Sequence, residues 1–151
     1  MPALKKAAGV LAAAGLVLAP TACSAPSGSG TQAVVTANID GGALQADLDG
    51  DSTRIQLIDI VTPRAADPAQ CLGPEAAALT AGLAPVGTAL RLEYPEAGST
   101  GAQGVTTAAA YLPDGRMVNA EVARAGLAQV VSAAGDGQFG PPVARAGQEA
   151  A

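Results

Sequence analysis

Residues 54–64 read RIQLIDIVTPR. Apolar and polar residues alternate from Arg54 to Leu57 and again from Ile58 to Ile60, which is the period of a half-buried strand. Thr62-Pro63 then ends the run, because proline has no N–H to give a neighbouring strand. A strand is therefore expected to leave its sheet at Thr62-Pro63.

Outward on the N-terminal side, AVVTANI (residues 33–39) has the β-branched content of a strand and meets the turn residues Asp40-Gly41-Gly42. ALQADL (43–48) alternates again, and Asp49-Gly50-Asp51 is a second tight turn leading into TRIQLIDI. These runs predict a three-stranded meander over roughly residues 33–61.

On the C-terminal side, RAADPAQ (64–70) is loop-like, and PEAAALTAGL (74–83) is helical with Pro74 suited to the first turn. TALRLEY (88–94) is a fourth strand, with Leu90 and Leu92 on one face and Arg91 and Glu93 on the other. EAGSTGAQG (96–104) has loop composition, and VTTAAAYL (105–112) is the fifth strand. After the turn at Pro113-Asp114-Gly115, MVNAEVARAGLAQV carries a short helix that Asn119 is suited to cap and Gly126 to end. GDGQFGPP (135–142) reads as loop and VARAGQEAA (143–151) as a last short helix. Five short strands with a helix inserted after the third match an OB-type barrel. The expected class is α+β, mainly β, with two or three short helices flanking a five-stranded OB-fold barrel.

The composition limits the chemistry. Phe139, Tyr94 and Tyr111 are the only aromatics, so the core is built from Leu, Ile, Val and Ala. The chain has no histidine, which removes the commonest general base and zinc ligand together.

The N-terminus reads as an export signal: Lys5 and Lys6, an apolar run from Ala7 to Ala19, then small residues. It ends in Pro-Thr-Ala-Cys, residues 20–23, which resembles a bacterial lipoprotein box with Cys23 as the lipidated, mature N-terminus. The expected organisation is a signal over residues 1–22, a Ser/Gly/Pro-rich linker over 23–32 and one domain over 33–151. A lipidated Cys23 makes the membrane a partner, on the outer face of the cytoplasmic membrane. The other reading is an ordinary cleaved signal with an incidental Cys23, under which Cys23 and Cys71 could pair. Loss of residues 1–22 removes both lysines and leaves six arginines against thirteen acids, a net charge of about −7. That charge opposes binding to a phosphate backbone, which makes nucleic acid an unexpected partner and a protein or small ligand a better one.

LPDGRMVNAEVARAGLAQV (112–130) resembles the fifth-strand turn and second helix of the staphylococcal-nuclease (thermonuclease) family. Cys71-Leu72-Gly73-Pro74-Glu75-Ala76 is similar to the start of that family's first helix, and Ile39-Asp40-Gly41 and Thr62-Pro63 are similar to two further landmarks in order. The resemblance covers about residues 33–150. It implies an OB barrel and calcium-dependent hydrolysis of DNA and RNA phosphodiesters. Two aspartates would hold the cation, a glutamate would assist the attacking water and two arginines would stabilise charge on the phosphate. A hard cation takes carboxylate oxygens, and developing phosphate charge takes fixed positive groups.

Carried over position by position, those roles fall on Gly42 and Val61 for the aspartates, Arg64 for the glutamate, and Gln56 and Val105 for the arginines. All five are vacant, so no catalytic residue is expected. Asp59, two residues before Val61, would share its face on a continuous strand but lie about 7 Å away. Asp40, Asp47, Asp49 and Asp51 gather near two hairpin turns, where turn chemistry explains them better than a calcium site. Arg64 reads as a solvated loop residue with Asp67 as its expected partner. Two tyrosines are a poor platform for stacking single-stranded bases.

The leading expectation is a cell-envelope lipoprotein whose nuclease-like domain is a non-catalytic binding or scaffolding module. The alternative is a diverged, calcium-dependent endonuclease with a shifted site built from Asp40, Asp59 and Arg54. A purely structural envelope protein is the third.

Overall fold

The computed structural model of the chain describes residues 30–67, 69–95, 105–131 and 137–151. Cys23, the expected signal and the 96–104 loop lie outside them. Strands β1 (Thr31–Asp40), β2 (Ala43–Leu48), β3 (Asp51–Leu57), β5 (Ala89–Glu93) and β6 (Val105–Tyr111) close a five-stranded barrel in the order β1-β2-β3-β6-β5. A two-residue strand β4 (Ile60–Val61) pairs outside it with β7 (Gln129–Val130). Helices α1 (Gly73–Leu83), α2 (Val118–Arg124) and α3 (Gly140–Glu149) flank the barrel. This is the mainly-β, OB-like class that the strand runs predict.

Local chemistry sets the hairpins. The Asp40 carboxylate accepts the Gly42 N–H at 2.8 Å and the Asp47 carboxylate accepts the Gly50 N–H at 2.9 Å. Asp49 (φ 53°) and Gly50 (φ 96°) give the β2–β3 turn the positive φ at both central positions that matches strand twist. Irregularities in β1 between Val35 and Ala37 and between Asn38 and Asp40 bend that strand around the barrel. Parallel pairing of β3 with β6 closes it.

Leu44, Ile55, Leu57, Leu90 and Leu92 fill the interior and are fully buried. Three consecutive alanines of β6, Ala108 to Ala110, are also fully buried. Neighbouring strand residues point to opposite faces, so β6 is covered on both, and its small side chains let α2 approach. α1 rests on the β1–β2 turn: an added Cβ at Gly41 would lie 2.5 Å from the Ala76 Cβ, and the Thr80 hydroxyl donates to the Gly41 carbonyl at 2.8 Å. Gly126 (φ 71°) ends α2 as expected, its N–H donating to the Ala123 carbonyl and that of Leu127 to the Val122 carbonyl.

The structure departs from the expected elements in three places. The third strand stops at Leu57, because Asp59 turns left-handed (φ 66°) and the chain leaves the barrel there rather than at Thr62-Pro63. Asn119 does not cap α2: it lies inside the helix, fully buried, and Met117 holds the cap position. Its Nδ2 donates to the Ile58 carbonyl at 2.8 Å and its Oδ1 accepts the Ala110 N–H at 3.1 Å. The Val131 N–H reaches the Asp59 carbonyl at 3.1 Å, so both carbonyls of the turn are held outside the barrel. α3 begins at Gly140, three residues before the expected start, since Pro141 and Pro142 fit a first helical turn, where no N–H is needed. Among the described residues no helix is long and apolar enough to cross a membrane.

Candidate functional site

Gly42 ends the β1–β2 turn just before β2 and is buried, one register step from the Ala43–Gln56 pair. Its carbonyl accepts two donors, the Gln56 Nε2 and the Leu57 N–H, each at 2.8 Å. A Cβ built at Gly42 would meet Thr62 Oγ1 at 2.9 Å, Gln56 Nε2 at 3.3 Å and Thr62 Cγ2 at 3.6 Å. Gly42 and Gln56, two of the five positions singled out in the sequence, are thus brought together, with the Thr62 side chain beside Gly42. Val61, a third, is next in the chain and 53% exposed, its backbone held by pairing with Gln129.

The other two positions sit further out. Val105 opens β6 opposite Arg54, one strand repeat from the Gln56–Thr107 pair. Arg64 is exposed in the strap that joins β4 to α1. Its N–H donates to Gln70 Oε1 at 2.8 Å, and its carbonyl would lie 2.4 Å from a Cβ at Gly73. The Asp67 carboxylate is engaged by the Ala69 N–H at 3.0 Å and Gln70 Nε2 at 2.7 Å. The ion pairs among the described residues join Arg91 to Glu93, Arg116 to Asp114, and Arg124 to Glu121 and Glu149; none joins Arg64 to Asp67.

Two of the acidic candidates serve the backbone. Asp40 and Asp47 cap turns, and Asp59 lies in the left-handed β3–β4 turn, where burial pushes its carboxyl above the usual range. Strand alternation therefore does not put Asp59 on the face of Val61. Among the described residues, no group of three or more His, Cys, Asp or Glu side chains is placed to hold a metal ion. The calcium ion implied by the thermonuclease resemblance does not fit the residues present. Gly42 and Val61 bring no side-chain oxygen, the Gly42 carbonyl already accepts two N–H groups, and Gln56 turns a donor toward the space. A hard cation needs six to eight oxygens.

Beside this cluster lies an open groove of about 490 Å³ with three walls: residues 61–63, 70–72 and 126–129. Val61, Pro63, Leu72, Leu127 and Ala128 give it an apolar floor and rim, and Thr62, Gln70 and Gln129 supply neutral polar groups. Every one of the ten lining residues is uncharged. Leu72 is 49% exposed and left-handed (φ 68°) at the start of α1, and Cys71 beside it is exposed and has no disulfide partner among the described residues. On the outer barrel wall, the Arg91 guanidinium stands 4.3 Å over the Tyr111 ring, so that ring face is covered rather than free for stacking.

Sequence reasoning missed the far wall of the groove, residues 126–129, and the use of Asn119. The apolar setting of Asn119, between Val118 and Ala120 and close to Val122, was the available signal for a buried amide. No protein-family model matches this chain, and no curated protein matches it.

Proposed function

We propose that this chain is an exported, membrane-tethered, thermonuclease-like domain without catalysis, which binds an uncharged and largely apolar ligand in the groove beside Val61. The observation that carries this reading is the groove itself. In a domain with a net charge of about −7, ten uncharged residues wall a space of about 490 Å³. That volume lies within the range of small-molecule sites. A phosphate or a cation would find neither a fixed charge nor a carboxylate there, whereas apolar surface on a ligand gains about 25 cal/mol for each Å² removed from water. The vacancy of Gly42, Gln56, Val61, Arg64 and Val105 supports the loss of nuclease chemistry, and the Cys23 box supports the tether.

The test is a fluorescence titration of the purified domain with Nile red, a neutral apolar dye, run beside a nuclease assay with calcium and single-stranded DNA. Saturable dye binding is expected, weakened about tenfold or more by Val61→Asp, which desolvates a carboxylate on complex formation. No cleavage is expected. Calcium-dependent cleavage abolished by Asp40→Asn or Asp59→Asn would replace this reading with the diverged endonuclease. The tether predicts incorporation of labelled fatty acid in cells that is lost in Cys23→Ser.

A further inference from the structure

We propose that the former cation position is closed by packing: Thr62 and Gln56 fill the place from which a side chain at position 42 would reach a metal. Returning acids to positions 42 and 61 therefore does not return calcium binding. The inference rests on the functional reading above for its meaning, but its geometry stands alone.

Gly42 has no positive φ, so the backbone accepts any residue and only space demands glycine. A Cβ there would sit 2.9 Å from Thr62 Oγ1, closer than real Cβ contacts come. The Thr62 backbone is held on one side by the pairing of Val61 with Gln129 and restricted on the other by Pro63, so only rotation of its side chain relieves the contact, and that brings Cγ2, already 3.6 Å from the same Cβ, toward it. Gln56 is anchored by its bond to the Gly42 carbonyl. An aspartate that forced its way in would meet an amide N–H and a hydroxyl. Those two groups donate into carboxylate lone pairs that a cation would need.

A thermal-unfolding cycle on Gly42→Ala, Thr62→Ala and the double variant tests the closure with the mildest possible change. Gly42→Ala is expected to lower Tm by roughly 5–10 °C, as overpacking of an enclosed site does. In the Thr62→Ala background the same change is expected to cost less than about 2 °C. Equal losses in the two backgrounds, or no loss in either, overturn the closure and leave the functional reading untouched. Isothermal calorimetry of Gly42→Asp/Val61→Asp with calcium is the second arm. No binding at millimolar calcium is expected, and submillimolar binding overturns the proposal. Should that variant fail to fold, the alanine cycle decides. Failure of the functional reading looks different: cleavage of DNA, or no dye binding, by the unaltered domain.

Discussion

Asn119 and Gln56 each use a side-chain amide to hold a backbone carbonyl at 2.8 Å, Asn119 that of Ile58 and Gln56 that of Gly42. Asn119 is fully buried beneath α2, and it also accepts the Ala110 N–H at 3.1 Å. One side chain thus ties α2 to β6 and to the turn that breaks β3. Gln56 is half-buried at the other side of β3, and its carbonyl partner has a second donor in the Leu57 N–H. A buried amide with no water to fall back on is costly to lose, whereas a half-buried one whose carbonyl partner keeps a second donor costs less. The Asn119 amide is therefore the costlier of the two to remove, because loss of the Gln56 amide still leaves the Gly42 carbonyl bonded to the Leu57 N–H.

The largest effect expected from this contrast is at Asn119. Asn119→Ala removes the partner of the buried Ala110 N–H and of the Ile58 carbonyl, and should cost about 2–4 kcal/mol in urea unfolding. Set against a typical total of about 5–15 kcal/mol, that leaves the domain close to unfolding. A loss under about 1 kcal/mol would mean the amide is not the staple its bonds describe. Gln56→Ala should cost less than about 1 kcal/mol, because the Gly42 carbonyl keeps the Leu57 N–H. A loss equal to that of Asn119→Ala would erase the distinction between the two sides.

The smallest effect has the opposite sign. Burial raises the Asp59 carboxyl above its ordinary 3.8, so ionising it opposes folding. Its contribution to stability is present below the unfolded-state pKa and is lost as pH rises through the raised, folded-state value. Asp59→Asn should stabilise the domain slightly at pH 7, by a few tenths of a kcal/mol at most once solvent screening of this part-exposed group is allowed for, and the gain should shrink when the pH falls below the ordinary aspartate range. Asparagine also suits the left-handed backbone at this position, a part of the gain that does not depend on pH. A gain that grows toward acid pH would contradict the direction of the shift.

What could be read in the sequence was local. The hairpin at Asp49-Gly50, the alternation of Leu90 and Leu92, Pro74 in the first turn of α1 and Gly126 after α2 each depend on residues within a few positions of one another. The barrel class followed from their order. What escaped depends on contacts across the chain. The amide of Asn119 bonds a carbonyl 61 residues away, and that bond accompanies the break in the third strand and the pairing of Ile60 with Val130. The same division runs through the site. The absence of acids at Gly42 and Val61 is visible in the residue types, but the packing of Thr62 onto Gly42 is not, since 20 positions separate them and no alternation rule survives the turn at Asp59.

The central claim is the proposal that this uncharged groove binds a neutral ligand and no cation or phosphate. Amide chemical shifts of the isotope-labelled domain, followed first with calcium and a nucleotide bisphosphate and then with Nile red, test it in one sample. The account predicts shifts confined to residues 61–62, 70–72 and 126–129 with the dye, and none with calcium and nucleotide. Saturable calcium shifts at Asp40 or Asp59, with the groove residues silent toward the dye, would contradict it.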